Sequence, residues 1–242
     1  MFHMTALGDT GIRVQLGSTI SPETNQLIRS FSLLLEQDKH PGLIEWIPTY
    51  TSITVFYDPY VISYDELTAY LHSIAASLHQ ADLPEAEIIH IPTCYGGELG
   101  PDLDNVARHN GLTPEEVIKI HSQPMYLIYM MGFTPGFPYL GGMSKRIATP
   151  RLEVPRSKVP AGSVGIAGEQ TGIYAMETPG GWQIIGRTPL KLYDPLREPS
   201  ILLKAGNYVK FVPIPYDRYK QIEEAVEKGS YQPRITTYRR ER

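Results

Sequence analysis

The first ninety residues alternate between short apolar segments and two stretches with helical spacing. A first helix is predicted to begin at Ser21-Pro22, because serine caps helix ends and proline fits the first turn. Leu27, Phe31 and Leu35 then recur at helical spacing. A second helix is predicted after the capping box of Ser63 and Glu66. Strands are predicted over residues 12–16, 43–47, 52–57 and 86–91.

The resulting order, β-α-β-β-α-β, is that of a ferredoxin-like α/β unit. The last of these strands leaves an alternative open, since it could instead belong to the following part of the chain. We expect a small N-terminal α/β domain over residues 1–84 and a second domain over residues 85–242.

Helical periodicity becomes rare after residue 88. Three helices are predicted there, over residues 101–109, 114–121 and 216–228. The remaining apolar segments are short and separated by turn residues, and they lie at 125–130, 163–167, 173–176, 183–185, 201–203 and 208–212. This spacing is typical of a closed or nearly closed β-barrel, so the predicted fold class is α+β.

Composition narrows the class of protein. Of 242 residues, 42% are hydrophobic and 20% are charged, which is ordinary for a globular chain, and the net charge of −4 argues against nucleic-acid binding. The single cysteine, Cys94, excludes an internal disulfide and any multi-cysteine metal site. No apolar segment reaches the roughly 18 residues of a membrane span, and the first residues lack a signal-peptide pattern. A cytoplasmic protein without a metal site is expected.

Glycine and proline are concentrated between residues 131 and 189, which hold eleven of the 21 glycines and seven of the 21 prolines. Flexible linkers of such composition are polar, whereas this segment also carries Phe133, Phe137, Tyr139, Tyr174 and Trp182. We therefore expect a shaped, half-buried surface that carries the function of the protein.

Three groups of residues in the second half of the chain could carry chemistry. The first is the glycine-rich turn at residues 95–102, in which Glu98 and Asp102 could act as acid/base groups. The alternative is that Asp102 and Asp104 only stabilise the N-terminus of a helix.

The second group is the loop at residues 132–142, where Phe133, Pro135, Phe137 and Tyr139 stand among four glycines. Two Gly-Phe pairs separated by prolines would form a rigid loop that presents aromatic faces. That loop could be a lid over a small ring, or a barrel corner plugged by phenylalanines.

The third group combines arginines with glycine-rich backbone, the elements from which carboxylate and phosphate sites are built. Any single arginine of this kind is more often a surface ion-pair partner, so the prediction rests on the group as a whole. The residues predicted to be catalytic are Arg151 and Arg187 of this group, together with Glu98 of the first group. Predicted substrate- or partner-binding residues in this group are Arg156, Gly165, Gly168, Gln170, Pro179, Gly180, Gly181 and Trp182.

Several common catalytic motifs are missing from the sequence. It contains no G-x-x-x-x-G-K-[ST], so a P-loop does not hold any nucleotide. It also lacks H-E-x-x-H, G-x-S-x-G and S-x-x-K. Gly162, Gly165 and Gly168 have a spacing different from that of the dinucleotide fingerprint.

Five strings resemble those of the KipI / PxpB family, also called allophanate hydrolase subunit 1. They are CYGGELGPDL, GFTPGFPYLGGM, RIATPR, VPAGSVGIAGEQTGIY and ETPGGWQIIGRTP, and IPTYTSITVFYDP adds a match in the N-terminal half. The resemblance covers nearly the whole chain. It implies a small α/β domain followed by a cyclophilin-like β-barrel.

Two activities follow from this resemblance. PxpB-like proteins are one subunit of an ATP-dependent 5-oxoprolinase, which opens 5-oxoproline to L-glutamate together with PxpA-like and PxpC-like subunits. The resemblance thus implies ATP at a site shared with a partner, and a chain that is inactive alone. KipI-like proteins instead inhibit a sporulation histidine kinase by binding its dimerisation and phosphotransfer helices. Proline isomerase activity is not expected, because fold likeness does not transfer activity.

Overall fold

The computed structural model describes residues 2–239, and the chain divides into two compact units with the boundary between residues 85 and 86. The first unit contains β1 (His3–Ala6), β2 (Gly11–Gln15), α1 (Pro22–Asp38), β3 (Leu43–Pro48), β4 (Ser52–Tyr57) and α2 (Tyr64–Ala76). Its four strands form an antiparallel sheet in the order β1-β2-β4-β3.

Local signals place both helices of the first unit where the sequence predicts them. The Ser21 hydroxyl accepts a hydrogen bond from the Thr24 amide at 3.2 Å, and Pro22 occupies the first turn of α1. At α2, Ser63 and Glu66 form the predicted capping box. The core joins the buried faces of the helices and the sheet, and includes Ile12, Val14, Ile28, Phe31, Leu35, Ile53, Val55, Leu67 and Leu71.

The ferredoxin-like arrangement predicted for the first unit is not confirmed. The strand expected at 86–91 forms part of β5 (Glu87–Tyr95), and β5 pairs with strands of the second unit. The first sheet is completed instead by β1, which lies at its edge beside β2. Because β1 is short and mostly exposed, it carries no hydrophobic alternation that would predict it.

The second unit adds three helices and nine further strands to β5. The helices are α3 (Leu103–His109), α4 (Pro114–Ser122) and α5 (Tyr216–Glu227). The strands are β6 (Tyr126–Met131), β7 (Pro138–Gly141), β8 (Arg156–Val159), β9 (Ser163–Ala167), β10 (Gln170–Ile173), β11 (Thr178–Gly180), β12 (Gln183–Arg187), β13 (Tyr208–Pro213) and β14 (Ile235–Thr237).

These strands form the nearly closed barrel that the sequence predicts. The main sheet runs in the order β10-β9-β12-β5-β13-β6-β7, β14 pairs with β5, and the end strands β7 and β10 lie side by side. β5 and β13 are parallel, and the other pairs are antiparallel. Val164, Ile166 and Ile173 face the barrel core. β8 and β11 form a separate two-stranded ribbon.

Two predicted strands of the second unit are wrong. Of the predicted strand 173–176, only Ile173 lies in a strand, as the last residue of β10. The predicted strand 201–203 contributes only an isolated bridge, between Ile201 and Tyr193. The strands β7, β8 and β11 were not expected, because proline, glycine and charged residues interrupt their apolar pattern. The glycine-rich segment therefore contributes more sheet than its composition indicates.

We propose that the second unit folds independently, because it contains its own hydrophobic core. A fragment of residues 85–242 is expected to show one cooperative thermal transition by circular dichroism. A matched fragment that begins at residue 96 lacks β5, which pairs with three other strands, and should show none. Non-cooperative melting of the longer fragment would contradict the proposal.

Candidate functional site

A pocket of about 200 Å³ opens on the second unit, and we call it the aromatic pocket. Its lining comes from the loop before β7, the segment before β8, the start and end of β10, and the turn from β11 to β12. The lining residues are Phe133, Phe137, Tyr139, Arg151, Gln170, Tyr174, Pro179, Gly180, Gly181 and Trp182. All except Tyr174 are residues that the sequence predicts as site residues.

Phe137 forms the centre of the aromatic wall. Its ring lies edge-to-face against those of Phe133 and Tyr139, at centroid distances of 5.4 and 5.5 Å. It makes the same kind of contact with Tyr174 and Trp182, both at 6.0 Å. Edge-to-face pairs at these distances are favourable beyond the burial of their surface. The wall is therefore a single packed unit, and Phe137, which is 5% exposed, holds it together.

Phe133 stands at the rim of the pocket in an unusual backbone conformation. Its φ is +65°, and its side chain is 67% exposed. A bulky residue in the left-handed region is strained, and such strain is concentrated at functional sites. The loop keeps Phe133 over the pocket instead of letting it relax, which favours a role in contact with a ligand or partner.

Glycines make room for the rings on the outer face of the barrel wall. Val164 and Ile166 face the core, so Gly165 between them faces outward. A Cβ on Gly165 would lie 3.2 Å from the Cβ of Trp182, and one on Gly172 would lie 3.1 Å from the Trp182 ring. Gly165 thus belongs to the support of the pocket and not to its lining.

The two arginines predicted near the pocket have different environments. Arg156 donates to Asp102 Oδ1 at 2.7 Å, and Asp102 Oδ2 accepts from the Ile184 amide at 2.6 Å. These two contacts link β8 to β12 through Asp102, so the Arg156 side chain has a structural role. Arg151 is exposed and takes part in none of the ion pairs among residues 2–239. Among residues 2–239 no carboxylate lines the pocket, so Arg151 gives this lining a positive charge.

A buried polar chain supports the strand pair behind the pocket. The Thr171 hydroxyl donates to the Gly165 carbonyl at 3.0 Å, so it accepts from Nε2–H of His121 at 2.8 Å. Nδ1 of His121 then accepts from the Tyr95 hydroxyl at 2.8 Å. Burial lowers the pKa of His121 to about 3, which keeps the imidazole neutral. This chain was not predicted, because its members are far apart in sequence.

Two residues predicted to be catalytic lie outside the aromatic pocket. Glu98 is exposed on a 3₁₀ turn, Gly97–Leu99. Arg187, at the end of β12, hydrogen-bonds the Tyr219 hydroxyl, which also bonds Glu223. Burial and the Glu223 carboxylate raise the pKa of Tyr219 to about 12, and the Arg187 guanidinium opposes that rise. The structure therefore brings Arg151 together with the binding residues, but not Glu98 or Arg187.

Two more predicted binding residues are peripheral. Pro135 is exposed in the loop that carries Phe133, and Gly168, with φ +59°, forms the turn between β9 and β10.

Across residues 2–239, no group of three or more His, Cys, Asp or Glu side chains is placed to hold a metal ion. No helix in that part of the chain has the length and hydrophobicity to cross a membrane.

The chain matches a known protein family and shares its fold with a solved structure. Residues 2–203 match the family model described as "Carboxyltransferase domain, subdomain C and D". The structure is also similar to that of the Kluyveromyces lactis urea carboxylase, with a TM-score of 0.74 and 18% identity over 98% of this chain and 24% of that one. At this identity the likeness concerns the fold alone.

Two relatives of known name are more similar in sequence and indicate a branch of this family. The chain is 47% identical to the B subunit of 5-oxoprolinase from Bacillus subtilis, over 92% of this chain and 97% of the relative. It is 41% identical to the B subunit of 5-oxoprolinase from Escherichia coli O157:H7, over 86% and 94%. The chain therefore belongs to the carboxyltransferase subdomain C and D family, in its KipI / PxpB branch, as its sequence strings indicate. The names of these relatives do not favour the kinase-inhibitor alternative.

Proposed function

We propose that this chain is the B-type subunit of an ATP-dependent 5-oxoprolinase. The observation that carries the proposal is the 47% identity, over nearly the full length of both chains, to a relative of that name. The reaction converts 5-oxoproline, ATP and water to L-glutamate, ADP and phosphate. Because the reaction consumes ATP, which is supplied in the cytoplasm, we propose that the complex is cytoplasmic.

The aromatic pocket is the proposed site for 5-oxoproline. Its ligand is a small ring with one carboxylate and one amide. Edge-to-face rings suit the apolar side of such a ring, and Arg151 suits the carboxylate, because guanidinium groups pair with carboxylates through two parallel hydrogen bonds. Phe133 at the rim would exclude water from the bound ring.

ATP does not fit the aromatic pocket. A volume of about 200 Å³ is below the usual range for sites of larger ligands, and the sequence contains no P-loop. We therefore propose that ATP binds at a site shared with a PxpC-like subunit, and that a PxpA-like subunit completes the complex. Glu98 and Arg187, outside the pocket, would then serve a partner interface or the fold.

The proposal predicts that activity requires the complex. The purified chain alone is expected to form no glutamate from 5-oxoproline and ATP, and turnover should appear when PxpA-like and PxpC-like subunits are added. Those two subunits without this chain are the matched control. Turnover by this chain alone, or by its partners alone, would contradict the proposed division of function.

A further inference from the structure

Tyr174 lies on the floor of the aromatic pocket and was not predicted as a site residue. It follows β10, is 3% exposed, and packs edge-to-face against Phe137 and Trp182. Its hydroxyl lies directly against Gly180, where an added Cβ would be 2.3 Å away. Gly180 is therefore a glycine because the Tyr174 hydroxyl occupies the space that a side chain would need.

The environment of the hydroxyl makes it a hydrogen-bond donor. Burial raises the pKa of Tyr174, and this outweighs the opposing effects of the Trp182 backbone hydrogen bond and of the charges on Arg151 and Arg156. The phenol is thus neutral near pH 7. A neutral phenol has a proton to donate, and Tyr174 lines the pocket, so it can donate to a ligand held there.

Two of the polar side chains that line the pocket, Arg151 and Tyr174, favour a ligand with two acceptors. Arg151 offers a charged donor and Tyr174 offers a neutral one, and the lining contributed by residues 2–239 contains no carboxylate. Both belong to the same small cavity, and Arg151 is close enough to affect the pKa of Tyr174. A five-membered ring that carries a carboxylate and a carbonyl matches this pair of donors.

We infer that Tyr174 determines specificity by donating a hydrogen bond to the ring carbonyl of 5-oxoproline, while Arg151 binds its carboxylate. This inference rests on the proposed function. L-Proline has a five-membered ring and the same carboxylate, but it has no ring carbonyl, and its ring nitrogen is a protonated amine instead of an amide. A site built to bond a polar group rejects analogues that lack it, because the buried partner is then left without a bond. Tyr174 would thus exclude proline, an abundant cellular amino acid.

The test compares 5-oxoproline and proline in the assembled complex. For the unaltered chain, the inhibition constant of L-proline should exceed the KM for 5-oxoproline at least tenfold. Tyr174→Phe removes only the hydroxyl, and should raise this KM about tenfold while the inhibition constant of proline stays within twofold. The matched control is Tyr126→Phe, since Tyr126 is buried outside the pocket and donates to the His121 carbonyl at 2.6 Å. It should lower thermal stability without changing KM.

Three outcomes would overturn the inference. One is an unchanged KM in Tyr174→Phe. Another is an equal loss of affinity for both ligands, which would mean that Tyr174 only shapes the pocket. The third is equal affinity of the unaltered complex for proline and 5-oxoproline, and this measurement needs no variant to fold. If the unaltered complex is inactive, the proposed function fails first and the inference falls with it.

Discussion

Replacing Arg151 with alanine is expected to lower kcat/KM for 5-oxoproline about a hundredfold in the assembled complex. Arg151 lines the aromatic pocket and has no ion-pair partner among residues 2–239, so its charge is available to a ligand. A charge-assisted hydrogen bond to a carboxylate contributes about 1.5–3 kcal/mol, and about 2.7 kcal/mol corresponds to a hundredfold change. Steady-state kinetics with purified partner subunits measures the effect.

The control for this prediction is Arg146→Ala. Arg146 is exposed on a nearby 3₁₀ turn, Lys145–Ile147, and lies outside the pocket, so its loss changes the net charge equally without touching the ligand. Its kcat/KM should remain within twofold of the original. Equal losses from Arg146→Ala and Arg151→Ala would show that only the overall charge matters, and that the carboxylate binds elsewhere.

Phe137→Ala is expected to destabilise the second unit by about 3–5 kcal/mol, because the deletion of a buried phenylalanine leaves a cavity. It would remove the contacts of one ring with four others. In a chain of this size each kcal/mol lowers Tm by about 2–4 °C. Differential scanning calorimetry should therefore show a fall of about 6–20 °C, and turnover measured below the transition should also fall.

Phe133→Ala separates the packing of the wall from its contact with a ligand. The Phe133 ring is mostly exposed, although it packs edge-to-face on Phe137, so its loss should shift Tm by less than about 2 °C. Turnover should still decline, because the rim no longer excludes water from the ring. An unchanged Tm with Phe137→Ala would mean that Phe137 does not hold the wall together. A large fall in Tm with Phe133→Ala would mean that the exposed ring also contributes to the packing of the wall.

Features of the fold that depend on local signals could be predicted from the sequence. The capping boxes at Ser63 and Thr113 place α2 and α4 correctly, because these hydrogen bonds join residues three positions apart. Nine of the ten residues that line the pocket are among the predicted site residues, which come from the glycine- and proline-rich aromatic segments and from the arginine-containing group. Glycine marks positions where rings approach the backbone, and this is a property of single residues and their neighbours.

Contacts between distant residues could not be predicted in this way. Arg156, which is predicted to bind a substrate or partner, pairs with Asp102 across 54 positions and through it links β8 to β12. The partners of β5 could not be predicted either, because hydrophobic alternation indicates a strand but not its neighbour. Tyr174 was missed as a site residue because its role depends on Gly180 and Trp182, which it meets only in the folded barrel.

The two tryptophans of the chain allow a direct test of whether the aromatic pocket binds 5-oxoproline. Trp182 lines the pocket, whereas Trp46 lies on β3 in the first unit and serves as an internal control. With the chain labelled with 5-fluorotryptophan in the assembled complex, ¹⁹F NMR can follow both residues as 5-oxoproline is added. We expect a saturable shift of the Trp182 resonance, abolished by Arg151→Ala, and a constant Trp46 resonance. An unmoved Trp182 resonance at 5-oxoproline concentrations that support turnover would contradict the claim.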